Sequence, residues 1–223
     1  MTRRKVTRTQ GSASNAKRSG AGGRSTAALV LAVVGVLALA GIFAVMLSSG
    51  DDGSSEAEPV SGKVTVTGEP LPQLGGGSDP TVGTAAPEIS GEDFGGNPIS
   101  IEADRRPKAI IFLAHWCPHC QAEVPVIQEW LDAQGAPADV DLYSVATAID
   151  PTQPNYPPDA WLEREGWTPP VLVDDQAETA GQAFGVSGFP FFVFVDAEGN
   201  VTARATGELP IADLEAYLDG ARG

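Results

Sequence analysis

Residues Ala109-Ile110-Ile111-Phe112-Leu113 form an unbroken apolar run rich in β-branched side chains. A run this short and this uniformly apolar suits a strand buried on both faces, in a sheet covered by helices above and below. The texture after it agrees. Residues 118–134 carry Val124, Ile127, Trp130 and Leu131 at helical spacing, with Pro125 inside the stretch as an expected kink. Val140 to Ala146 reads as a second buried strand, Asp159 to Glu165 as a short helix, and Val171 to Val173 as a strand. Glu178 to Phe184 reads as a short helix and Phe191 to Val195 as a strand. The turn Asp196-Ala197-Glu198-Gly199-Asn200 leads into a partner strand, Val201 to Ala205, and Pro210 opens a final amphipathic helix. From Ala109 the order is β-α-β-α-β-α-β-β-α, which predicts an α/β fold with a central mixed sheet flanked by helices. Pro98 to Ile101 reads as one more short strand ahead of it.

Charge divides the chain. Residues 1–24 hold seven basic side chains and no acidic one, whereas all 29 acidic residues lie beyond position 50 against seven basic ones. The body is therefore near −22. Such a surface repels phosphate backbones, so no nucleic-acid partner is expected. Between the two regimes, 22 uncharged residues run from Thr26 to Leu47. As a helix they span about 33 Å, the thickness of a bilayer core. The stretch exceeds the usual apolar region of a cleaved signal, although Ala38-Leu39-Ala40 has a small-x-small pattern. The expected organisation is a basic cytoplasmic tail (1–25), a transmembrane anchor (26–47), a flexible linker (48–80) and one domain (81–223). By the positive-inside rule the domain lies outside the cytoplasm, tied to the membrane by its own single pass. The linker is read from its Gly, Ser, Pro and acidic content, which offers little apolar surface to offset ordering entropy. Lys63 to Thr67 could form a strand, but an isolated one.

The two cysteines of the chain lie together, in Trp116-Cys117-Pro118-His119-Cys120. The motif follows the buried strand and opens a helix. Unpaired N–H groups and the macrodipole at a helix start favour a thiolate. Cys117 takes that place, and Cys120 lies one turn in, where it can resolve a mixed disulfide on Cys117. Pro118 presets the first helical turn, and a protonated His119 adds positive charge near Cys117. A purely stabilising disulfide fits poorly, because closing so small a loop contributes only about 1.9 kcal/mol. A metal centre fits poorly too, since His115, Cys117, His119 and Cys120 cannot easily wrap a tetrahedral ion from six adjacent residues. No metal and no cofactor beyond the redox-active cysteine pair is therefore expected. A peroxidase would need a hydroxyl three residues before Cys117, where Ala114 stands.

Over residues 83–220 the chain resembles the TlpA-type branch of the thioredoxin fold. The resemblance rests on GTAAPEISGEDFGGNPISI, AHWCPHCQAEVP and GVSGFPFFVFVDAEGNV, in that order. It implies that Pro190 is cis and faces the cysteine pair, that Phe189 offers its backbone to substrate, and that Glu123 tunes the pair. Trp116, Pro118 and His119 complete the set of expected tuning residues. Two departures stand out. Ile111 occupies a position where many thioredoxin-fold proteins place a buried polar group, which leaves proton transfer to Glu123 or water. The Pro-His dipeptide resembles the oxidising DsbA-like proteins rather than TlpA-type reductants. The resulting expectation is thiol–disulfide exchange with exported cysteine-containing proteins, oxidation slightly favoured, and a membrane redox partner that recycles the pair. The competing class is a copper-delivery or thiol-dependent assembly protein without turnover.

Overall fold

Strand β4 (Lys108–Leu113) is buried along its whole length, as its composition predicts, and it lies at the centre of a five-stranded sheet. The computed structural model describes residues 60–223. Ahead of β4 come β1 (Thr65–Thr67), β2 (Glu88–Glu92) and β3 (Pro98–Ile101); after it come α1 (Pro118–Gln134), β5 (Asp141–Ala146), α2 (Pro158–Arg164), β6 (Val171–Val173), α3 (Thr179–Ala183), β7 (Phe191–Val195), β8 (Val201–Thr206) and α4 (Ile211–Arg222). The main sheet has the order β6-β5-β4-β7-β8. β4 runs parallel to β5 and antiparallel to β7, so the sheet is mixed. The strands β1-β2-β3 form a separate antiparallel sheet.

Alternation along the central strands feeds two cores. Ile111, Phe192 and Phe194 pack with Val124, Ile127 and Trp130 of α1 and Leu214 and Leu218 of α4. Ile110, Phe112, Phe191 and Val193 pack on the other side with Ile89, Ile101 and Phe184. This double coverage is why β4 and β7 carry no polar alternation. Pro125 lies inside α1 without ending it, on the exposed side of the helix. Gly135 ends it at φ 79°, its N–H bonded to Leu131 O at 2.7 Å.

The basic tail, the apolar stretch and the first part of the expected linker lie outside the described residues. Among the described residues no helix is long and apolar enough to cross a membrane. The linker reading needs correction from residue 60 onward. β1 pairs with β2 through Thr65, Val66 and Thr67, so the strand expected to be isolated has a partner. Leu71 is buried, and its N–H donates to Ala183 O at 2.8 Å. Leu74 N–H donates to Gly185 O at 3.1 Å, and Gly62 N–H to Asp174 O at 2.9 Å. Asp79 accepts two hydrogen bonds of 2.8 Å from the Arg204 guanidinium. Composition counts apolar area, and this segment is held instead by backbone pairing and a mostly buried ion pair. Gly185, at φ 66°, is required where the segment crosses: a Cβ there would lie 2.2 Å from Pro72 O.

Candidate active site

The chain leaves β4, turns through Ala114 to Trp116 and enters α1 at Cys117. Cys117 is the helix N-cap, with extended φ −73° and ψ 121°, and Pro118 takes the first helical position. Cys117 N–H donates to Ala114 O at 3.0 Å, and Cys117 O accepts from Gln121 N–H at 3.1 Å. No side chain caps the helix. The first-turn N–H groups therefore remain available to a charged sulfur at Cys117. Both thiols are free. Cys117 is 7% exposed and Cys120 fully buried. Burial pushes the Cys120 thiol far above the ordinary cysteine range, and negative charge on Cys117 and Glu123 adds to the shift. The two sulfurs thus differ in setting: Cys117 keeps a little exposure, and the wholly buried Cys120 holds its proton more tightly than an ordinary cysteine.

Phe189–Pro190 is a cis peptide bond and Pro190 is buried. The turn ahead of β7 brings Phe189 O to 3.5 Å from Cys117 Sγ, which donates to it. Trp116 stands edge-on to Phe189, centroids 6.1 Å apart at 85°, and its Nε1–H donates to Ala148 O at 2.7 Å. An open groove runs beside Trp116, lined by Ala148, Asp150, Pro151, Gln153 and Glu178.

Glu123, two turns into α1 and 3% exposed, is the acid behind the pair. Burial raises its proton affinity, a hydrogen bond from Leu209 N–H at 3.1 Å opposes the rise, and the charge of Glu208 adds to it. Ile111, where a polar group could have stood, is fully buried in apolar contacts. His119 is exposed, and its Nδ1 lies 2.7 Å from Glu208 Oε1. Its ring nitrogen therefore meets a carboxylate, a contact with no signal in the sequence, since 89 residues separate the partners.

His115 was also not foreseen in its actual role. It is 1% exposed, and its Nδ1 lies 2.7 Å from Pro154 O while Asp150 N–H donates to Nε2 at 3.2 Å. A carbonyl on one nitrogen and an N–H on the other assign the neutral Nδ1–H tautomer. Burial lowers its proton affinity. Its own carbonyl accepts from Gln121 Nε2 and Asn155 Nδ2. His115 thus ties the 150–155 loop to the strand end that carries Cys117.

Residues 81–218 match the Redoxin family model, and the chain belongs to the Redoxin family. Among curated relatives, thiol-disulfide oxidoreductase ResA of Geobacillus kaustophilus is 26% identical over 147 residues, covering 62% of this chain and 76% of ResA. The thiol:disulfide interchange protein TxlA homolog of Synechocystis is 27% identical over 119 residues, covering 53% of this chain and 51% of that protein. A solved thiol:disulfide interchange protein of the thioredoxin family from Chlorobium tepidum superposes with a TM-score of 0.52 at 23% identity, over 63% of this chain and 97% of the other. The domain has the thioredoxin-like α/β fold, and the protein is a thiol-disulfide oxidoreductase.

Proposed function

We propose that Cys117 and Cys120 exchange disulfides with exported cysteine-containing proteins, on the outer side of a membrane to which residues 26–47 anchor the chain as a TlpA-type protein. The observation that carries this reading is the placement of Cys117 Sγ 3.5 Å from Phe189 O, with Cys120 wholly buried one turn behind. Backbone beside the nucleophile can pair with a substrate strand, and the groove beside Trp116 gives that strand room. In the reducing direction the Cys117 thiolate attacks one substrate sulfur and releases the other as a thiolate. Cys120 then gives up its proton, to Glu123 or to water, and attacks Cys117 sulfur. The substrate leaves as a dithiol and the pair as a disulfide. Donation runs the same steps backward.

Donation is the direction favoured here. The open helix start and the His119 imidazole both stabilise the reduced pair, which makes the disulfide more oxidising. Glu208 trims this bias by meeting the imidazole charge. A membrane redox partner recycles the pair, and no further cofactor or metal is needed. His115 and His119 turn to different partners, the 150–155 loop and Glu208, which speaks against copper delivery.

Cys117→Ser is expected to abolish exchange with a model protein disulfide, and Cys120→Ser to trap covalent mixed disulfides on non-reducing gels. Normal turnover by Cys117→Ser would overturn the assignment. Protease added to intact cells should remove the domain, and full protection would refute the topology.

A further inference from the structure

Three consecutive residues of the loop between β8 and α4 each touch a different part of the redox site. Gly207 N–H donates to Pro190 O at 2.8 Å. Glu208 Oε1 lies 2.7 Å from His119 Nδ1. Leu209 N–H donates to Glu123 Oε1 at 3.1 Å. The loop therefore joins the cis-proline turn, the dipeptide between the cysteines and the buried acid. Two of these contacts are made by backbone. Glu208 alone makes its contact with a side chain, so it is the point at which the clamp can be altered without changing the main chain.

We propose that Glu208 is a positioning residue for thiol–disulfide exchange: it holds His119 in the exposed first turn of α1, cancels the imidazolium charge, and so sets how far the cysteine pair favours its reduced form. The inference rests on the exchange reading above. The titratable groups gathered here are His119, Cys117, Cys120 and Glu123 on α1 and Glu208 on the loop. With both partners present, a proton on His119 is balanced by the Glu208 carboxylate 2.7 Å away. Without the Glu208 carboxylate, any proton on His119 is uncompensated and favours a thiolate. Without His119, the bare Glu208 carboxylate disfavours one. The two losses act in opposite directions, which a contact serving only the fold would not produce.

The test equilibrates the full chain with glutathione buffers at pH 6. Both partners are about half exposed or more, so the expected shifts are modest. Glu208→Gln should move the equilibrium constant toward the reduced pair by roughly two- to fivefold, and His119→Ala should move it the other way by a similar factor. The double variant should return close to wild type, and Glu208→Asp, which keeps the charge, should restore most of the wild-type value. Raising the salt to 1 M should shrink both single shifts. Thermal melts of each variant separate a redox effect from loss of fold. Shifts in the same direction, or a wild-type constant in Glu208→Gln, would overturn the role of Glu208 and leave exchange intact. A wild-type chain that never equilibrates with glutathione would overturn the exchange reading, and this inference with it.

Discussion

The redox end of the domain and the segment that straps its opposite core each withdraw a carboxylate from water, and they treat it in opposite ways. Asp79, in the strap, receives two hydrogen bonds from the fully buried Arg204 guanidinium, whose remaining nitrogen donates to Pro72 O and Phe184 O. Its proton affinity falls well below the usual carboxylate range, chiefly through those bonds from Arg204. Glu123, behind the cysteines, has one backbone N–H and no cation among its partners, and burial raises its proton affinity. A paired buried acid stays ionised and stabilises the fold. A buried acid left without a countercharge is ready to exchange protons, at a cost in stability. Asp174, just after β6, is another buried acid without a cation; burial raises its proton affinity too, but the Thr147 hydroxyl and three backbone N–H groups hold it, whereas Glu123 has a single N–H.

Breaking the strap pair should give the largest effect. Arg204→Ala strands the Asp79 charge and leaves two carbonyls without donors, so unfolding free energy should fall by about 3 kcal/mol or more in urea titrations. The rate at which the folded domain reduces a peptide disulfide should stay at wild type. A loss below about 1 kcal/mol would show that the strap is fastened mainly by backbone pairing. The pH dependence follows from the sign. The folded-state pKa of Asp79 is lowered, so its contribution is fully present above the unfolded value near 4 and is lost as pH falls below it.

Glu123→Gln should reverse that pattern. Exchange should slow tenfold or more, because the amide cannot take the Cys120 proton. Stability at pH 7 should hold or rise, because an unpaired buried charge is gone. The folded-state pKa of Glu123 is raised, so its ionisation penalty applies at neutral pH and is relieved as pH falls through that raised value. The variant should lose this acid-side relief. Wild-type exchange rates across the pH range would remove Glu123 from proton transfer and leave water as the carrier.

The contrast also marks what a single sequence discloses. β4 and β7 were legible because burial on both faces writes an unbroken apolar run. β2 was not: in Glu88–Glu92 only Ile89 is buried, and the segment is a strand because β1 and β3 pair with it on both sides. The strap read as linker for the same reason, its anchors being Leu71, a few backbone bonds and an ion pair whose partners lie 125 residues apart. At the site, the cysteine pair was legible through residues adjacent in sequence, and Pro190 through the family resemblance that the pair and the GVSGFPFFVFVDAEGNV segment carry together. The contacts of Glu208 and His115 were not, because nothing local distinguishes a glutamate or histidine that meets a distant loop.

His115 repeats the contrast in a basic group and should give the smallest effect. Its neutral ring is satisfied only as long as Nε2 accepts the Asp150 N–H, and a second proton would face that N–H directly. Burial lowers its folded-state pKa, whereas in the unfolded chain an ordinary imidazole takes its proton near pH 6.5. The unfolded state therefore binds the extra proton first, and stability should decline as pH falls below about 6.5. His115→Gln keeps a donor and an acceptor but does not titrate. It should flatten the decline between pH 7 and pH 5 by on the order of 1 kcal/mol or less, measured as the change in urea midpoint at the two pH values. If His115→Gln kept the full acid slope, the decline would belong to the carboxylates. His115 would then hold the 150–155 loop beside Trp116 without responding to acid.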